Sequence, residues 1–393
     1  MSSALIYKMR LTAPNKPGTA SHNSNYVKYI AEREHVMKLS PESESGLFGR
    51  IDGTNNDELD VTDTQNYVYG ISKAGVTVYN AYISFRPEIA KRLELDSLEK
   101  WQNYIKFHID TLMRGYDIPK DRFEYIAAVH DKKGQPHIHI SFWDKDPPLT
   151  VQFVKKEVSD NVRKKLIHDT FANELSYYYG ISNEAMSDAK ELVGKLMIDF
   201  ERDISGIYSN RFSGVDIPEE LIQKYTDVLN NLPGRGRIAY EYLPKETKDM
   251  VIGMIKEMIM LPKMKSIIND YYSGARSAAE MFDSKETDNG KSEIDRKMRK
   301  AAGDLYNRLG NIILKSMLRT LKENNEQRKK DNAEINTKIT VDSMVYALNA
   351  MSRLFRTQGA TGTVNTAHAL IGELSKQAKK DIARQKQDKG HEV

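Results

Sequence analysis

Apolar and polar residues change their rhythm once along this chain. Up to about residue 145, strand-like runs alternate with runs of helical period, and beyond Leu149 nearly everything reads as helix. ALIYKMRL (Ala4 to Leu11) predicts a strand, and SNYVKYIAERE (Ser24 to Glu34) a helix capped by Ser21 or Ser24. His35 to Gly75 is rich in Gly, Asn, Asp and Ser and reads as an irregular insertion. VTVYNAYISF (Val76 to Phe85) is β-branched and aromatic, hence a strand, and Pro87 to Met113 supplies one or two helices opened by a proline. RFEYIAAVH and PHIHISFW are two further strands. Pro147-Pro148 closes this part. Val151 to Leu175 then predicts an amphipathic helix, with Val154, Val158, Val162 and Leu166 as its apolar stripe and Lys155, Lys156, Arg163 and Lys164 on its surface.

The change of rhythm predicts an α+β domain over residues 1–180 and a mostly α-helical region over 181–393. Breaks fall at Leu232 to Gly236 and around Asp283 to Gly290, and periodicity allows the helical region to be either one domain or two, divided near 283–290. A chain of 393 residues has room for such a division. No apolar run approaches the roughly 18 residues of a membrane span, 29% of residues are charged and mean hydropathy is −0.60, so no membrane insertion is expected. The absence of cysteine and of a secretory pattern at MSSALIYKMRL points to the cytoplasm. Net charge is only +4, but Lys291 to Lys330 holds twelve Lys or Arg against five Asp or Glu. Such a run is either a solvated helix face or a surface for nucleic acid or a partner.

The chemistry concentrates in HDKKGQPHIHISFW, His130 to Trp143, which has three of the nine histidines within ten positions. Residues two apart on a strand share a face, so His137 and His139 point one way while Ile138, Ile140 and Phe142 point into the core. If the two strands close as a hairpin with His130 opposite His137, all three imidazoles meet on one face. A lone HxH pair is commonly ordinary packing; three converging imidazoles instead suit a metal ion with open positions for water or substrate oxygens. Imidazole alone fits Zn, Fe, Ni or Cu, while a phosphate substrate with open water sites fits Mg or Mn.

His130, Pro136, His137 and His139, with spacings of seven and two between ligands, match the three-histidine motif of plasmid and conjugative-element mobilisation (Mob) relaxases, and the chain resembles these members of the HUH endonuclease superfamily. SNYVKYIAERE resembles their first motif and YISFRPE (Tyr82 to Glu88) their second, and motif order agrees across about residues 1–180. The resemblance implies a central antiparallel sheet with the metal histidines on its two middle strands and helices against the opposite face. It implies site- and strand-specific nicking of origin-of-transfer DNA, single-stranded around the nick, by metal-dependent transesterification through a 5′-phosphotyrosine. Mg or Mn and no nucleotide cofactor are expected, with other transfer or coupling proteins as further partners.

Tyr26, Tyr29 and Arg33 share one helical stripe, and His22 joins it only if the helix starts a turn earlier. Spacing does not choose the nucleophile. The family's V-K-Y-I-like string favours Tyr29, with Tyr26 and His22 as alternatives, because some Mob relaxases use histidine. A related branch has an acidic pair where this chain has Lys132 and Lys133, so Asp131 is the nearby acid, either a partner orienting His130 or the start of the turn. Ser84, Arg33, Lys132, Lys133, Arg163 and Trp143 are candidate DNA contacts, Trp143 because strand parity puts it on the histidine face, where an aromatic ring stacks bases. The competing readings are an HUH-class rolling-circle replication initiator, a three-histidine metallophosphoesterase using water, and a binding module with a structural metal.

Overall fold

A computed structural model describes residues 3–132, 134–204, 213–233, 236–283 and 292–331. Contacts divide the chain into two units, Met1–Ile181 with Ser273–Lys300, and Ser182–Tyr272 with Ala301–Val393. The predicted break around Asp283 to Gly290 lies almost wholly outside the described residues.

The first unit is built on one antiparallel sheet of six strands: β1 (Leu5–Leu11), β2 (Phe48–Ile51), β3 (Thr54–Asn56), β4 (Tyr79–Phe85), β5 (Phe123–Lys132) and β6 (Gln135–Asp144). Their spatial order is β1-β4-β6-β5-β2-β3, so the two ten-residue strands lie in the middle. β5 and β6 pair from Phe123↔Asp144 to Lys132↔Gln135 in unbroken register. The connection is tight, and Gly134, at φ 72°, takes the left-handed backbone conformation such a turn requires.

Strand alternation gives the sheet two covered faces. Tyr125, Ala127, Val129, Ile138, Ile140 and Phe142 enter a core with Trp101, Ile105 and Leu112 of α4 (Leu98–Gly115) and Val162, Leu166 and Ile167 of α5 (Lys156–Thr170). α4 begins where Ser97 Oγ accepts from the Lys100 amide, a side-chain cap. On the other face Ile126, Ala128 and Trp143 pack with Val27, Ile30 and Ala31 of α1 (Thr19–Glu32) and Val68 of α2 (Val61–Lys73). Helices therefore cover the histidine face as well as the opposite one.

The segment expected to be an irregular insertion holds β2, β3 and α2. Asp60 caps α2 by accepting from the Asp63 amide at 2.7 Å, and Thr64, Val68 and Ser72 form its buried stripe. Small polar residues took the place of an apolar stripe, which hid the helical period. Gly49 in β2 is required by a close approach: a Cβ there would lie 2.2 Å from the Tyr125 carbonyl oxygen. The helix expected over Val151 to Leu175 is interrupted at Phe171, which separates α5 from α6 (Ala172–Ile204). α3 (Pro87–Arg92) precedes α4.

Residues 273–300 belong with the first unit because Ala278, Met281 and Phe282, at the end of α9 (Pro262–Met281), join its core. The second unit is helical. α7 (Glu219–Asn230), α8 (Lys245–Met260) and parts of α6, α9 and α10 (Glu293–Asp331) enclose a core in which Phe200 and Tyr225 stack at 5.3 Å.

Both tryptophans of the chain, Trp101 and Trp143, are fully buried in the first unit, so their fluorescence reports on that unit. Gly49→Ala is expected to lower its stability by about 1–3 kcal/mol, the usual penalty for forcing an atom into a packed site. Urea unfolding followed by tryptophan emission checks this; an unchanged midpoint contradicts the close approach.

Candidate active site

The β5–β6 register sets His130 directly opposite His137 and Ala128 opposite His139, so the three imidazoles converge on one face near the turn. Their ring centroids are 5.0–5.5 Å apart. Each ring has one nitrogen occupied. His130 Nε2 lies 2.8 Å from the Ile30 carbonyl, His137 Nδ1 3.0 Å from the Gln135 carbonyl, and His139 Nδ1 3.0 Å from the Tyr26 hydroxyl. Carbonyl oxygens only accept, so His130 Nε2 and His137 Nδ1 carry the protons and donate them. The remaining nitrogens of His130 and His139, Nδ1 and Nε2, are buried without a partner. The three histidines offer one ligand atom each, all within 4.8 Å of one another.

That donor set fits a metal ion: three imidazoles, their outer nitrogens occupied, and inward lone pairs with nothing else to bind. Electrostatics agrees. Burial is the largest influence lowering the pKa of all three, His139 to about 3, with Arg33 adding to it at each and neighbouring imidazoles adding to it at His130 and His139. The rings are therefore neutral near pH 7 and keep their lone pairs.

One side of this cluster is faced by α1. Gly18 precedes it in the left-handed conformation at φ 84°, and the helix starts at Thr19, about a turn earlier than expected. His22 is thus helical and joins the stripe of Tyr26, Tyr29 and Arg33 as an exposed residue. At the other end Arg33 leaves the helix extended, His35 turns at φ 69°, and Val36 bridges to His130 while the Met37 amide donates to the Val129 carbonyl at 2.7 Å. These bonds fix the end of α1 to the strand that carries His130.

Tyr26 and Tyr29 stack at 5.8 Å, and each meets the His139 ring edge-on, at 6.2 and 6.5 Å. Their environments differ. Tyr26 is half-buried, its oxygen is engaged by His139, and burial, followed by the neighbouring Tyr29, pushes its pKa up to about 12. Tyr29 is 46% exposed, with the Arg33 guanidinium 4.9 Å above its ring and donating to its hydroxyl.

A family model described as MobL relaxases matches residues 20–359, most of the chain. The chain belongs to the MobL relaxase family. It is a DNA relaxase, a DNA-nicking enzyme that binds DNA at the origin of transfer. No curated protein and no solved structure gives a significant match. Among the described residues of the relaxase, no helix is long and apolar enough to cross a membrane.

Several candidates from the sequence lie elsewhere than expected. Trp143 does share the histidine face, but α1 and α2 cover that part of it; the ring is 0% exposed, and its Nε1 donates to Glu124 at 2.9 Å, so it stacks no base. Arg163 is buried rather than on the surface, donating to Ser3 Oγ at 2.8 Å and to the Phe282 carbonyl at 2.8 Å, and it ties residues 282–283 to α5. Ser84 pairs with His137 across β4 and β6 but is buried, so it is not a surface for DNA. The hydrogen-bond partner of His130 is the Ile30 carbonyl and not Asp131, which follows it on the strand and whose charge acts on His137, raising its pKa against the effect of burial. Lys132 is exposed at the hairpin end, and Lys133 lies outside the described residues.

Two contributors were not foreseen. Tyr82, opposite His139 on β4, holds its ring 5.1 Å from His137 and 5.5 Å from His139. Extending strand parity to YISF would have found it. The Ile30 carbonyl has no signature in any side chain.

Trp143→Phe leaves the buried Glu124 carboxylate without one of its donors and is expected to cost the relaxase about 1–3 kcal/mol. Its affinity for origin DNA at a temperature where it remains folded should be unchanged; a tenfold weaker Kd by fluorescence anisotropy would restore Trp143 to the DNA surface.

Proposed function

We propose that the relaxase nicks one strand of origin-of-transfer DNA by transesterification, with Tyr29 as nucleophile and a divalent ion, Mg or Mn, held by His130 Nδ1, His137 Nε2 and His139 Nε2. The observation that carries this reading is the pairing of three inward lone pairs with an exposed tyrosine 6.5 Å from the His139 ring. When bound, the ion neutralises charge on the scissile phosphate and polarises its phosphorus–oxygen bonds. The Tyr29 oxygen attacks phosphorus and releases its proton to solvent at the exposed ring edge. The bond from phosphorus to the 3′ oxygen breaks, that oxygen takes up a proton, and a 5′-phosphotyrosine and a free 3′-OH remain. Attack by the 3′-OH reverses the step. One phosphoester is exchanged for another of similar energy, so no nucleotide cofactor is required.

Arg33 fixes the Tyr29 hydroxyl and sets a guanidinium beside the incoming phosphate, a pairing its planar donors suit. Lys132, exposed at the hairpin end beside the histidines, meets the DNA backbone, and Lys133, next in the sequence, adds a second positive charge. Tyr26 is a poor nucleophile because its oxygen is engaged by His139 and burial pushes its pKa up to about 12, whereas the Tyr29 ring is exposed. The first unit carries the nicking chemistry, since every named group lies in it, and the helical region is accessory. The reaction takes place in the cytoplasm, on the mobile element's own DNA.

Incubation with an origin oligonucleotide and Mn2+, followed by trypsin and mass spectrometry, tests this reading. Cleavage after Lys28 separates Tyr26 and His22 from Tyr29. The nucleotide adduct is expected on the fragment Tyr29 to Arg33, abolished by EDTA, restored by Mn2+, and reduced about 10³-fold or more in Tyr29→Phe. An adduct on the fragment that ends at Lys28 would reassign the nucleophile. Multiple turnover on small phosphodiesters without any adduct would replace transesterification by hydrolysis.

A further inference from the structure

We propose that Tyr26 is a positioning residue of the metal centre, and that α1 is the outer shell of that centre, so that one helix sets both the ligands and the attacking group. This rests on the metal-dependent reading above. Two of the three histidines are held by α1 itself: His139 through the Tyr26 hydroxyl at 3.0 Å, and His130 through the Ile30 carbonyl at 2.8 Å. Tyr26 and Ile30 are four residues apart and so lie one above the other on the helix. Tyr29 falls between them in the sequence.

The chemistry of imidazole makes the Tyr26 contact directional. A neutral ring carries one proton. If Tyr26 donates to Nδ1, the His139 proton sits on Nε2, buried among the other two rings, where it makes no hydrogen bond and occupies the nitrogen a metal would need. If Nδ1–H donates to the phenol oxygen, the Nε2 lone pair faces the cluster, as His130 Nδ1 already does. Only the second arrangement leaves a ligand. A hydroxyl is suited to this, because it receives the Nδ1 proton and turns its own hydrogen away. The backbone carbonyls serving His130 and His137 allow only the ligating tautomer; at His139 the same task falls to a side chain, and only there does a substitution remove it.

The consequence is a division of labour within one stripe of α1. Tyr26 acts through His139 and determines how tightly an ion is held; Tyr29 acts on DNA. Loss of the Tyr26 hydroxyl should therefore weaken metal affinity while leaving the chemical step intact once metal is saturating. Loss of a partner of this kind commonly lowers metal affinity about 10- to 100-fold.

The test uses the full chain and Mn2+ as probe. Isothermal titration should show Tyr26→Phe binding Mn2+ about 10- to 100-fold more weakly than wild type, with an unchanged melting curve in the absence of metal. At saturating Mn2+ the variant should still form the adduct on Tyr29. Nitrogen-15 shifts of the His139 imidazole should show the proton on Nδ1 in the metal-free wild type, a measurement that needs no variant and that a merely space-filling Tyr26 would not dictate. Equal Mn2+ affinities of variant and wild type would overturn the proposal while leaving the metal reading standing, as would a proton found on Nε2. Failure of the wild type to bind Mn2+ would overturn both. An adduct that disappears in Tyr26→Phe at saturating Mn2+ but persists in Tyr29→Phe would make Tyr26 the nucleophile and end its assignment as a positioning residue.

Discussion

The register of a single hairpin governs the chemistry of this relaxase. With His130 opposite His137, the even-numbered positions of β5 and the odd-numbered positions of β6 share a face, with the three histidines near the turn and Ile126, Ala128 and Trp143 further along. Slipping either strand by one residue would turn the imidazoles into the opposite core and bring Ile138, Ile140 and Phe142 out of it. The register is therefore held by two requirements at once, apolar burial on one side and ligand convergence on the other. The left-handed turn at Gly134 and the flanking β4 and β2 strands, paired on either side, leave no room for an alternative.

Much of this was legible from residue order because strand parity is strict. The histidine convergence, the β5–β6 pairing and the helical stripe of Tyr26, Tyr29 and Arg33 all follow from periods of two and 3.6. What escaped was whatever depends on a distant neighbour. Parity put Trp143 on the right face but says nothing of what lies over it; the cover is α2, from a stretch whose polar residues concealed its helical period. Arg163 sits in a helix whose charged residues look like a solvated face, and only the carbonyls at Phe282 and Asp283, more than a hundred positions away, give it a reason to be buried. The pattern of residues puts the start of α1 a turn late because that start is marked by a glycine rather than by Ser21 or Ser24.

The two tyrosines of α1 illustrate how little sequence distance is needed to separate roles. Three positions and about 100° of helical turn each put one ring against His139 with its oxygen engaged, and the next at the surface under a guanidinium. The same helix is sealed to the sheet by Val27, Ile30 and Ala31 below and by the Val36 and Met37 pairing beyond its end. Its position relative to the ligands is thus fixed by backbone as well as by side chains.

The other end of the histidine face is closed by a polar clamp. The Glu124 carboxylate, 1% exposed, accepts from Trp143 Nε1 at 2.9 Å, from the Tyr67 hydroxyl at 2.6 Å and from the Asp52 amide at 2.9 Å, joining β5 and β6 to α2 and to the β2–β3 turn. The sheet face is consequently a cul-de-sac, open where the histidines lie and shut where Glu124 lies.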